Sequence, residues 1–152
     1  MLLSGIDLVS PAPARPGDSR PGSFSELRIV TAAGTEISYS VEVADTTRLR
    51  TRGLMFREAL PPEQGMLLLY DSARELKIWM KNTRIPLDIL FIDDSGRIIR
   101  ISPDAVPYSE ETIPSRGKAR AVLEINAGQA RMRGIGEGDR VLYAPLWPAA
   151  GE

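Results

Sequence analysis

The chain has 152 residues, a formal charge of -1, 43% apolar and 26% charged residues, and neither cysteine nor histidine. That length supports one core of ordinary size, and the balanced charge leaves no electrostatic footprint for nucleic acid or an acidic membrane. Without Cys and His there are no thiolate nucleophiles, Ser-His-Asp triads, disulfides or imidazole zinc sites, so chemistry falls to carboxylates, lysine, hydroxyls and backbone amides.

Residues 1–25 carry four prolines between Pro11 and Pro21 and an acidic Asp7 where a signal peptide would be apolar. They are expected to be a poorly ordered extension, a linker or the remnant of a longer leader. Residues 26–147 are expected to form a single β-rich domain, and 148–152 a short tail.

From Ser25 the pattern has a period of two. "LRIVT" and "EISYSVEVA" read as two strands around an "AAGT" turn, with Ile37, Tyr39, Val41 and Val43 on one face. Asp45 offers an N-cap to a short helix over "TTRLRTRGLMF" that Gly53 ends, with Leu49 and the Leu54 to Phe56 cluster turned inward. Four strands are expected next, over Met66–Tyr70, Leu76–Met80, Leu87–Asp93 and Arg97–Ser102, with "DDSG" as the hairpin turn between the last two. Because "LDILFID" is apolar on both faces apart from Asp88, it reads as a central strand. Ser102 to Pro114 reads as a surface loop. "KARAVLEI" is a further strand; Asn126 is expected to cap "AGQARMR", and Gly134 to stop it. "RVLYA" closes the fold, with Trp147 folding back as a lid. Many short strands, two short helices and no βαβ alternation predict a mainly β protein, an antiparallel sandwich or barrel.

The candidate site lies in "KIWMKNTRIPLDILFID". Leu76, Ile78 and Met80 share one phase, and Lys77, Trp79 and Lys81 the other. Trp79 and Lys81 either cover a hydrophobic edge or form a flat platform beside a cation, suited to a sugar or an anionic ring. Asn82 and Thr83 either shape a turn through local hydrogen bonds or read a ligand hydroxyl. Asp88 interrupts an apolar strand and needs partners; an ion pair with Arg52, Lys81 or Arg84 is one solution, a functional carboxylate the other. Glu124 interrupts "AVLEI" in the same way, so the two acids could share a site. The methionines read as core filler. No phosphate-binding loop or calcium loop is present.

The blocks "VEVADTTRLRTRGLMFRE", "GMLLLY", "IWMKNTRIPLDILFID", "AVLEI" and "GDRV" are similar, in order and spacing, to the bacterial and archaeal family called domain of unknown function 192, over roughly Val41 to Leu142. The family's motif positions fall on Arg52, Gly53, Leu54 and Met55, on Gly65 and Met66, on Trp79 to Thr83, on Pro86 to Asp88, and on Glu124. The resemblance implies a compact β domain, often exported or envelope-linked, with no assigned activity. The expected function is a non-catalytic binding module for a polar or anionic ligand, such as a carbohydrate or cell-envelope fragment. Arg52, Trp79, Lys81, Asn82, Thr83, Asp88 and Glu124 are its candidate ligand-binding residues. The alternatives are a structural or interaction domain braced by those same polar groups, or a carboxylate-based hydrolase. No cofactor, metal, nucleic-acid partner or transmembrane segment is expected.

Overall fold

The structure, a computed structural model, describes residues 23–151. The expected N-terminal extension lies almost wholly outside the described residues. Seven strands run in chain order with two short helices: β1 (Phe24–Val30), β2 (Glu36–Ala44), α1 (Thr47–Arg52), β3 (Gln64–Ile78), β4 (Leu87–Ile92), β5 (Ile98–Ala105), β6 (Ile113–Asn126), α2 (Gln129–Arg133) and β7 (Arg140–Leu142). They form one sheet in the order β5-β4-β6-β3-β2-β1-β7, where the sequence left sandwich and barrel open. The sheet is curled, and its two edges meet where Ile98 N–H donates to Asp139 O (2.9 Å) and Val141 N–H to Gly96 O (2.7 Å).

Both faces of the sheet are covered, which is why β4 buries all six of its residues. Alternation divides them between two cores. Leu90 and Ile92 point to one, with Tyr39, Val41, Leu123, Ile125 and Trp147; Leu87, Ile89 and Phe91 point to the other, with Leu54, Met66, Leu68 and Met80. Burying each such side chain contributes ~1.5–3 kcal/mol. Trp147 does fold back: it is buried, and its indole N–H donates to Asp94 O at 2.9 Å.

Several expectations need correction. The segment Met66–Tyr70 and most of Leu76–Met80 belong to one 15-residue strand, β3, which ends at Ile78 and pairs antiparallel with the 14-residue β6 through register shifts between Leu69 and Lys77. The polar "DSARE" between them continues the strand pair with mostly exposed residues, so it carries no burial pattern. The sheet also contains a parallel pair, β2 with β3, joined by the crossover that carries α1. The N-cap of α1 is Thr46, whose hydroxyl accepts from Leu49 N–H (3.2 Å), and that of α2 is Gly128 on a left-handed backbone with no capping side chain. Asn126 instead donates to Leu60 O at 2.7 Å. Among the methionines, Met66 and Met80 fill core but Met132 is 77% exposed, and Phe56 is exposed too.

Candidate functional site

A cleft of about 300 Å³ lies between α1 and the long β3–β6 arm, lined among others by Arg50, Arg52, Arg74, Lys77, Trp79 and Glu124. Its volume is at the lower bound of the ~300–1,000 Å³ usual for small-molecule sites.

The walls follow from the local sequence. Arg50, in the last turn of α1, donates from Nη1 to Asp45 O (2.9 Å) and Leu69 O (2.7 Å), tying the helix to β3. Its guanidinium stacks over Tyr70 at 4.7 Å, and Arg74 lies over the same ring at 5.2 Å. Gly53 then ends the helix with a φ of 46°, where a side chain would be strained. A Cβ there would stand 3.9 Å from Glu124 Oε2, so the end of α1 passes directly over that carboxyl. On the opposite wall the alternation of β3 buries Leu76 and Ile78 and turns Lys77 outward; Trp79, just past its end, is 41% exposed.

Glu124 forms the floor. In β6 it stands opposite Met66 of β3 and Ile89 of β4, a central position with apolar neighbours on both sides. It is only 6% exposed, and among the described residues no hydrogen bond or ion pair reaches its carboxyl group. Burial pushes its pKa from 4.5 up to about 7, so near neutral pH it is close to half protonated. Tyr70 is also pushed up, first by burial and further by the Glu124 charge, with Arg50 and Arg74 opposing.

The remaining candidates sit elsewhere. Lys81 stacks over Trp79 at 5.0 Å and pairs loosely with Glu110 (3.8 Å), outside the cleft lining. Asn82 adopts φ 54°; its carbonyl accepts from Phe56 N–H (2.9 Å), and its amide approaches Met55 Sδ at 4.0 Å. Thr83 is buried, with its hydroxyl donating to Lys81 O (3.1 Å). These two shape the corner beside the cleft.

Asp88 is fully buried but on the other face, opposite Ile125. No ion pair with Arg52, Lys81 or Arg84 forms. Its two oxygens accept from Asp104 N–H and Ala130 N–H, each at 3.0 Å. The second bond supplies the first turn of α2 with the acceptor that Gly128 lacks. Asp88 and Glu124 therefore do not share a site. Among the described residues, no group of three acidic side chains is placed to hold a metal ion.

Arg74 escaped the sequence reading because it lies inside a segment taken for a gap between strands, and Tyr70 stands at the edge of that segment; Arg50 lies on α1, and its contacts with Leu69 O and the Tyr70 ring are tertiary. Lys77 carried a signal, since it shares its phase with Trp79.

The arrangement of Arg52, Gly53, Trp79 and Glu124 around one cleft brings together positions from separate blocks of a family pattern, and the match to that family runs over residues 28–143. The chain belongs to the domain of unknown function 192 family. The family is described as an uncharacterised ACR. Among solved structures, the chain is similar to a Sinorhizobium meliloti 1021 protein described as a candidate transcription regulator, with 41% identity and a TM-score of 0.80 over 81% of this chain and 95% of that one. It is also similar to a protein of unknown function from Novosphingobium aromaticivorans DSM 12444, with 37% identity and a TM-score of 0.78 over 88% and 94%. No curated protein matches the chain significantly.

Proposed function

We propose that this domain of unknown function 192 protein is a non-catalytic binding module whose cleft takes a small anionic ligand, with a carboxylated or phosphorylated sugar as the best chemical fit. The observation that carries this reading is charge without partners. Four cations line the cleft against one carboxylate, and among the described residues no acidic side chain pairs with Arg52, Arg74 or Lys77. Arg52 and Lys77 supply charge-assisted donors to ligand oxygens. Trp79 supplies a flat apolar wall for a ring. The small volume favours a metabolite-sized molecule over a long polymer.

A two-carboxylate hydrolysis draws no support from this geometry, because Asp88 lies across the sheet from Glu124. The bracing reading is supported for part of the motif: Asp88 and Thr83 spend their polar atoms on the fold itself.

Tryptophan fluorescence tests the proposal. Glucuronate and glucose 6-phosphate should perturb Trp79, while glucose, lacking the anion, should do so far less. Trp147 is buried and hydrogen-bonded, so Trp79→Phe should remove the response. Equal responses to all three sugars, or none, would overturn the reading.

A further inference from the structure

Glu124 sits awkwardly in a site built for anions. Ionised, it repels the ligand the rim attracts, and no donor compensates its burial. Its backbone is fixed, because β6 is held between β3 and β4 on both sides of it, and Gly53 passes over its Oε2. The charged or titratable groups around it are Arg50 and Arg52 from α1, and Tyr70, Arg74 and Lys77 from β3. The residues flanking it in register, Met66 and Ile89, carry no charge.

Resting on the binding reading above, we propose that the cleft takes up its anion together with one proton, which Glu124 holds. The proton comes from solvent and no covalent bond changes. A neutral Glu124 is no longer an acceptor only: its O–H can donate to a carboxylate or phosphate oxygen at the base of the cleft. The ligand end that meets Glu124 is therefore an acceptor, and an ammonium group there is disfavoured. Burial already holds the free acid's midpoint near 7, so the coupling falls within the ordinary working range. By reciprocity, if the proton strengthens anion binding, the anion strengthens proton binding by the same factor.

The test uses the whole chain with sulfate and glucuronate as probes, since neither titrates near neutrality. The carboxyl carbon of Glu124 is followed by NMR across pH, with and without each probe at constant ionic strength, while cleft amide signals report affinity. Bound anion should raise the Glu124 midpoint by about one pH unit or more, and affinity should fall between the free and bound midpoints by about tenfold in total for each unit of that rise. In Glu124→Gln the affinity should no longer depend on pH; in Arg52→Gln it should drop at every pH. Anion binding that moves the Arg52 and Trp79 signals but is level with pH in the native chain would overturn proton uptake and leave the binding function standing. No change with either probe would overturn both.

Discussion

Replacing Glu124 with glutamine is the most informative perturbation of stability. The substitution keeps shape and removes the titration. In the folded protein the acid titrates at about 7, against 4.5 as its ordinary value, with burial as the cause. Between those two values the folded state holds a proton that the unfolded state has released. The folded state thus binds more protons, and stability falls as pH rises through that window. A rise from 4.5 to about 7 corresponds to about 3 kcal/mol, at ~1.4 kcal/mol per pH unit. That penalty is absent below about pH 4.5 and complete above about pH 8. Glu124→Gln never incurs it, so its stability relative to the native chain should climb by about 3 kcal/mol across the window. In a chain of this size the melting difference should change by roughly 6–12 °C. Urea unfolding of both proteins at about pH 4.5, 6, 7.5 and 9 measures the effect directly. A difference that stays level across the series would show that the cations of the cleft already compensate the buried charge, and would refute the reasoning.

Three further substitutions test the other parts of the structure. Asp88→Asn keeps one acceptor but turns an amide N–H toward a backbone N–H, so it should cost about 1–3 kcal/mol in urea unfolding and leave the response of Trp79 to glucuronate unchanged. Gly65→Ala places a Cβ 2.7 Å from the backbone oxygen of Glu124, against the β3–β6 pairing; a loss of at least about 1 kcal/mol is expected, read as a lower melting temperature. Tyr108 is 58% exposed with φ 64°, where a side chain is strained, so Tyr108→Gly should be neutral or stabilise by up to about 1 kcal/mol, and a loss above that would show that the ring packs on something it needs.

Strand-level features were legible where one face is buried and the other wet. The alternation of β2 marks Ile37, Tyr39, Val41 and Val43, and all four are buried. The "DDSG" turn is likewise where the sequence places it: Asp93 Oδ1 accepts from the N–H groups of Ser95 (2.8 Å) and Arg97 (3.0 Å), a local preference that needs no tertiary context. Where tertiary bonds replace local ones the sequence is silent. No pattern in "NAGQARM" announces that its helix is capped by a carboxylate 42 residues earlier in the chain. Nor does anything in "DSARE" reveal that β3 continues through it, because an arm wet over most of its surface has no alternation to display. That silence hid Arg74, one of the four cations that line the cleft.

The split between Asp88 and Glu124 rests on strand register, one step of which inverts every side chain. In the sequence both look alike, single acids inside apolar strands. In the sheet β4 and β6 are neighbours, yet Asp88 stands opposite Ile125 while Glu124 stands opposite Ile89. The two acids occupy adjacent rungs and so point to opposite faces. On its face Asp88 meets α2 and the backbone of Asp104, which bring N–H donors to both of its oxygens. On the other face Glu124 meets the glycine that ends α1 and an open cleft, which bring none. A buried acid with two donors is a brace whose partners are already in place. One without donors costs stability while it is charged, and in a cleft that takes anions that charge is relieved by a proton. Bracing by Glu124 would require such donors; among the described residues, Arg52, Arg74 and Lys77 instead stand around the opening with no acidic side chain paired to them.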